Sequence, residues 1–178
     1  MVYIFENLQL CDPEWLAEKT KNLPLWRLQK VQALKKQEDK IRSVVAFLLL
    51  ERALQDLGIS PVPEFAYEEF GKPYLPGYPV HFSLSHTKNA VACAVSDCPI
   101  GVDVQEKMKY SSRLSQRICS DTERTALENA EDKGLVLTAL WTKKEALAKC
   151  NGKGLGERFS SLVTHSRLST ALFLFNFF

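Results

Sequence analysis

The stretch Ile100-Gly101-Val102-Asp103-Val104-Gln105-Glu106 sets a single carboxylate, Asp103, inside a run otherwise suited to a β-strand. Side chains alternate across a strand with a period of two, so Ile100, Val102 and Val104 point one way and Gly101, Asp103 and Gln105 the other. The first set reads as a core face and the second as a site. Gly101 clears space beside Asp103 for close approach by a ligand or another backbone, unless it marks a bulge. An aspartate near a strand end also serves turns and caps, so its meaning depends on what surrounds it.

Upstream, Val2 to Phe5 predicts a short strand, and Asp12-Pro13-Glu14-Trp15 predicts a helix start. There Asp12 acts as cap, and Pro13 sits where its missing N–H costs nothing. Leu25, Leu28, Val31 and Leu34 suit a further helix. Ile41, Val44, Val45, Leu48, Leu49, Leu54 and Leu57 predict a longer one, closed by Gly58 and Pro61. Its apolar stripe calls for a sheet, and strand signals follow at 65–69, 80–85, 90–95 and 100–105, the middle two close enough for a hairpin. Residues 70–79, rich in Pro and Gly, read as an ordered loop. Ser111 to Ile118 predicts helical structure, and Ser120-Asp121-Thr122-Glu123 has the form of a capping box that opens a new helix. Leu135 to Cys150 predicts another strong helix, ended by Asn151-Gly152, with Trp141, Glu145 and Lys149 along one stripe. The tail is harder to place: Phe159, Leu162 and Val163 suit a strand, and the apolar run Ala171–Phe178 must pack inside or meet a partner.

With 178 residues, 46% hydrophobic and 25% charged, the chain belongs to the ordinary globular class rather than the disordered one. Its formal charge of +2 makes no case for nucleic acid. The basic residues between Arg27 and Arg42 are interrupted by Glu38 and Asp39 and lack interleaved aromatic platforms, so nucleic-acid binding is not expected. A second basic cluster, Lys107, Lys109, Arg113 and Arg117, follows the Asp103 strand and suits an acidic partner as well as a solvated face. Five cysteines without a Cys-x-x-Cys pair, and three histidines away from zinc-like spacing, predict free thiols in a reducing compartment. No secretory leader is read at the N-terminus, and no apolar run reaches the roughly 18 residues of a membrane span. A cytoplasmic protein without a membrane partner is expected.

Three pieces are then taken together: Phe70-Gly71-Lys72-Pro73 with His81-Phe82-Ser83-Leu84-Ser85-His86, Ile100-Gly101-Val102-Asp103, and Trp141-Thr142-Lys143-Lys144-Glu145-Ala146-Leu147-Ala148-Lys149. In this order and spacing, over about residues 35 to 155, the chain resembles the 4′-phosphopantetheinyl transferase superfamily, specifically its Sfp-type branch. The resemblance implies an α+β pseudo-dimer of two similar lobes. The N-terminal lobe, residues 1–98, would carry coenzyme A-binding residues, and the C-terminal lobe, residues 99–178, the magnesium and catalytic residues. It implies transfer of the phosphopantetheine arm of coenzyme A to a serine of an acyl or peptidyl carrier protein, with adenosine 3′,5′-bisphosphate released and Mg²⁺ required, by a monomer.

By the same resemblance Asp103 is the principal metal ligand. Glu145 completes the metal site or takes the proton of the attacking serine, and Lys149 meets the pyrophosphate. Ser85 and His86 contact coenzyme A phosphates, Lys72 lies near the adenine and phosphate end, and Arg42 helps hold the 3′-phosphate with Lys36 assisting. The chain departs from the pattern in two places. Gln105 stands where many Sfp-type enzymes carry a metal-binding glutamate; its amide offers a carbonyl oxygen but no negative charge, and Glu106 points to the other face. Members also continue with strands beyond Gly152-Lys153-Gly154-Leu155 that differ from Ser169–Phe178, so a shortened second lobe is expected. Either the apolar tail substitutes for those strands, or an exposed edge reduces stability and invites association. The alternative function is a non-catalytic module that binds coenzyme A or a carrier protein.

Overall fold

The computed structural model describes residues 1–152 and the backbone of residues 171–176. An antiparallel sheet in the order β1-β5-β4 is formed by β1 (Val2–Glu6), β4 (His81–His86) and β5 (Ala90–Ser96). On one of its faces lies α3 (Gln37–Gln55), the long helix expected from the apolar stripe. Val44, Phe47, Leu50 and Leu54 of α3 are buried in one cluster with Phe82 of β4 and Cys93 and Val95 of β5. Each such large apolar side chain contributes roughly 1.5–3 kcal/mol by leaving water. Helices α1 (Pro13–Thr20) and α2 (Leu25–Gln32) flank α3, and Asp12 caps α1 by accepting from the Trp15 N–H at 2.8 Å.

The sheet's other face is built from small residues. Ser83 and Ser85 stand beside Ala94 and Ala92, and Ala90, Ala92 and Ala94 pack against Ile100, Val102 and Val104. These short side chains let β6 (Gly101–Glu106) lie close to β4. The backbone N–H groups of Val102 and Val104 donate to the hydroxyls of Ser83 (3.0 Å) and Ser85 (3.3 Å), so two serine side chains replace a backbone ladder. On its remaining edge β6 pairs in parallel with β7 (Ala171–Asn176), from Gly101 opposite Ala171 to Glu106 opposite Asn176. Strand β7 thus occupies the edge that the apolar tail was one candidate to cover. The tail strand suggested around Phe159 lies outside the described residues.

After β6 come α4 (Ser112–Ile118), α5 (Asp121–Glu128) and α6 (Lys133–Asn151). The capping box is present: Glu123 N–H donates to Ser120 Oγ at 3.3 Å, and Ser120 N–H to Glu123 Oε2 at 2.8 Å. Gly152, at φ +70°, closes α6 in the left-handed conformation common after helix ends. Helix α6 lies hard against β6, since a Cβ on Gly101 would stand 1.9 Å from the Ala146 carbonyl oxygen and 2.5 Å from the Cys150 nitrogen. The opening at Gly101 is therefore filled by backbone, and the ligand option there is corrected.

Two sequence expectations change in extent. The strand over 65–69 contracts to β2 (Ala66–Tyr67), and the loop over 70–79 contains β3 (Pro73–Tyr74), its antiparallel partner. Pro73, opposite Tyr67, has no N–H, which limits the ladder to two rungs. Among the described residues, no helix is long and apolar enough to cross a membrane.

Candidate active site

The site forms where β4, β6 and α6 meet. Asp103, only 2% exposed, sits on the β6 face turned toward α6. Lys149 Nζ donates to Asp103 Oδ1 at 2.7 Å and to Ser85 Oγ at 2.9 Å. Ser85 Oγ in turn donates to Asp103 Oδ1 at 2.7 Å. Gln105, two residues along the same strand face, donates its amide to Asp103 Oδ2 at 3.2 Å. Glu106 is turned away and accepts from Asn89 Nδ2 at 3.2 Å, as the strand period requires.

Glu145 lies one helical turn before Lys149 on α6. Burial, and then the negative charge of Asp103, push its carboxyl above the usual range, while Lys149 opposes the rise. Asp103, Glu145 and the Gln105 amide all carry oxygen donors, the ligand chemistry a hard divalent cation prefers. Among the described residues no cluster of three or more His, Cys, Asp or Glu side chains offers a denser metal site. A cation at Asp103 would meet an oxygen already engaged by Lys149.

Ser85 and His86 diverge, because neighbouring strand residues face opposite ways. Ser85 joins Asp103 and Lys149, whereas His86 lies toward Arg42 of α3. Although the His86 side chain is exposed at its edge, the surrounding protein withdraws enough hydration to push its imidazole pKa down, and Arg42 and then Lys149 push in the same direction. Arg42 is ion-paired with Asp39. Lys36 is exposed at the N-cap of α3. Lys72 is delivered by the tight turn through Gly71 (φ +82°) and donates to the Cys150 carbonyl at 2.8 Å, at the C-terminal end of α6. A cavity of about 270 Å³ lies between this turn and α6, lined by Phe70, Lys72, Pro73, Phe82 and Lys149.

The sequence reading thus brings together Asp103, Gln105, Glu145, Lys149 and Ser85, with Lys72 nearby and Arg42 and His86 on the adjoining side of β4. It missed the support. Ser83 repeats the Ser85 rung, and Lys144, fully buried, donates to Glu123 Oε2 at 2.6 Å and to the Ile118 carbonyl at 2.7 Å, tying α6 to α5. The Phe82-Ser83-Leu84-Ser85 alternation was the available signal for the first. Nothing in Lys143-Lys144-Glu145 distinguishes the fully buried lysine from its half-buried neighbours.

The α+β scaffold thus sets Asp103 on a strand beside Glu145 and Lys149 on a helix. A family model described as the 4′-phosphopantetheinyl transferase superfamily matches residues 99–175. The AcpT 4′-phosphopantetheinyl transferase of Escherichia coli strain K12 is 33% identical over 133 residues, covering 69% of this chain and 67% of that protein. A 4′-phosphopantetheinyl transferase of Bacillus subtilis is 32% identical over 123 residues (66% of this chain, 55% of the relative). Sfp of B. subtilis strain 168 is 35% identical over 94 residues (51% and 42%). The chain belongs to the 4′-phosphopantetheinyl transferase superfamily. It spans about half the length of several of the curated relatives it matches.

Proposed function

We propose that this chain transfers the 4′-phosphopantetheine arm of coenzyme A to a serine of an acyl or peptidyl carrier protein, releasing adenosine 3′,5′-bisphosphate. The observation that carries the reading is the convergence of Asp103 from β6 with Glu145 and Lys149 from α6, the residue types a pyrophosphate-cleaving site needs. Residues 1–98 act as the coenzyme A-binding lobe and residues 99–178 as the lobe bearing the acidic pair. Arg42, Lys72, His86 and Lys149 meet the phosphates of coenzyme A, with Lys36 at the rim.

Asp103 and Glu145, with the Gln105 carbonyl in reserve, fit Mg²⁺ as a hard-oxygen set, and the ion when bound supplies charge neutralisation on the pyrophosphate. The protein's own groups do the rest. Glu145, its proton affinity raised by burial and by Asp103, suits a general base that takes the proton of the carrier serine hydroxyl. The serine oxygen then bonds to the phosphorus bearing the pantetheine arm, and the bond from that phosphorus to the leaving bisphosphate breaks. The Lys149 ammonium exchanges Asp103 for the leaving group, offsetting the charge that develops there.

The carrier docks from the side of Lys109, Arg113 and Arg117, which are exposed after β6; Lys107 is already paired with Asp132. Five free cysteines, four of them buried, support a reducing cytoplasmic setting. Chromatographic detection of adenosine 3′,5′-bisphosphate, after incubation with coenzyme A, Mg²⁺ and an apo carrier protein, tests the reading. Product is expected with the native chain and not with Glu145→Gln. Equal product from both would overturn the assignment of Glu145.

A further inference from the structure

We propose that Tyr110, held by Glu128 and Lys133, is a positioning residue for the carrier protein: it fixes α4 so that Arg113 and Arg117, with Lys109, meet an acidic surface of that partner. The inference rests on the transferase reading above and concerns the carrier, not coenzyme A. Helix α4 has only seven residues, too few to be stable by itself, so its place is set by what holds it. Ser115 and Ile118 are buried, and Leu114 packs against the cluster of Ile118, Leu127 and Leu137. Arg113 and Arg117, four residues apart, lie on the opposite, exposed side.

The segment ahead of α4 is strapped across the first turns of α6. Met108 N–H donates to Thr138 Oγ1 at 2.9 Å, and Thr138 is itself buried. The approach is close, since a Cβ on Gly134 would stand 2.6 Å from the Met108 carbonyl oxygen. Tyr110 then reaches the end of α5, where its hydroxyl donates to Glu128 Oε1 at 2.7 Å. Lys133 Nζ donates to Glu128 Oε2 at 2.5 Å and lies 5.7 Å from the centre of the Tyr110 ring. One residue later Ser111 Oγ caps α4, accepting from Leu114 N–H at 3.3 Å.

The same contacts sort the charges. Of the acids from Asp121 to Asp132, all but Glu131 are ion-paired: Asp121 with Arg124, Glu123 with Lys144, Glu128 with Lys133 and Asp132 with Lys107. Lys109, Arg113 and Arg117 make no ion pair among the described residues. Three exposed cations are thus left uncommitted on a helix whose entry is pinned, which is the complement of an acidic partner.

The test is steady-state transfer by the full chain, with apo carrier and coenzyme A varied separately. Tyr110→Ala should raise the KM for the carrier at least about fivefold, with kcat and the KM for coenzyme A within about twofold of native. Glu128→Ala separates positioning from net charge. It makes this face more positive, so a face acting through charge alone would show a lower KM for an acidic carrier. Loss of the anchor should instead raise that KM at least about threefold. Tyr110→Ala added to Glu128→Ala, or to Arg113→Ala/Arg117→Ala, should change the KM further by less than about twofold, because the pieces act in series. An unchanged carrier KM in Tyr110→Ala, a lowered one in Glu128→Ala, or full additivity with the arginine pair would each overturn the proposal. Equal rises in KM for both substrates would reduce Tyr110 to a general structural contact and overturn it too.

Hydrogen exchange supplies a readout independent of transfer. The α4 amides should exchange at least about tenfold faster in Tyr110→Ala, while those of α3 keep native rates. Unchanged exchange in α4 would overturn the proposal. Absence of transfer by the native chain would instead count against the transferase reading, and exchange would still decide whether Tyr110 holds α4.

Discussion

Gly101→Ala tests how the fold assembles the site. A Cβ at residue 101 would lie 1.9 Å from the Ala146 carbonyl oxygen and 2.5 Å from the Cys150 nitrogen, both on the backbone of α6. Relief requires the first contact to open to at least about 3.0 Å, so strand and helix must separate by about 1.1 Å. Neither atom is a flexible side-chain end that can swing aside. Overpacking of this kind costs about 1–3 kcal/mol, and two rigid contacts put the change at the upper end of that range. The functional effect follows from the neighbours. Ala146 and Cys150 adjoin Glu145 and Lys149, while Gly101 stands two residues from Asp103 on the same strand face, so the displacement falls directly between the groups that must cooperate. A misplacement near 1 Å costs about 10²-fold in rate where chemistry depends on alignment. Urea denaturation should give a stability loss near 3 kcal/mol, and transfer assayed below the unfolding transition should fall about 100-fold. A Gly101→Ala protein within about 0.5 kcal/mol of the native chain, transferring at a similar rate, would refute the close-packing argument.

Other expectations concern single groups. Asp103→Ala should abolish transfer and weaken Mn²⁺ binding measured by electron paramagnetic resonance; native-like binding would remove Asp103 from the metal site. Lys144→Met, which takes the ammonium from a buried Glu123, should cost about 3–5 kcal/mol in urea, and adding Glu123→Gln should recover part of that loss. No recovery would show that the ammonium acts through other contacts. His86 has a lowered pKa, so its imidazole is neutral at pH 7 and the folded state resists protonation as pH falls through the ordinary histidine range. Coenzyme A phosphates should reverse this and raise the midpoint of the His86 NMR titration, whereas an unmoved midpoint would place the phosphates elsewhere.

The elements legible in the sequence are those whose signal is local. Helix α3 announces itself by a stripe that must be buried, α5 by a capping box whose two hydrogen bonds need only Ser120 and Glu123, and α6 by periodicity ending at Gly152. The candidate site was legible through ordered motifs, since Asp103, Glu145 and Lys149 stand at spacings set by one strand and one helix. What escaped depends on contacts between distant segments. The serine rungs need β4 beside β6, Lys144 is distinguished only once α5 covers it, and β3 needs the Gly71 turn to bring Pro73 opposite Tyr67. Gly101 shows the boundary well: the sequence indicates that something comes close, but only the packed chain identifies it as the backbone of α6.

The most direct measurement is the intact mass of an apo carrier protein after incubation with this chain, coenzyme A and Mg²⁺. The account predicts a gain equal to one phosphopantetheine group, lost when EDTA is present and absent with Glu145→Gln. An unchanged carrier mass across acyl and peptidyl carriers, with coenzyme A binding intact, would contradict it and favour a non-catalytic binding module.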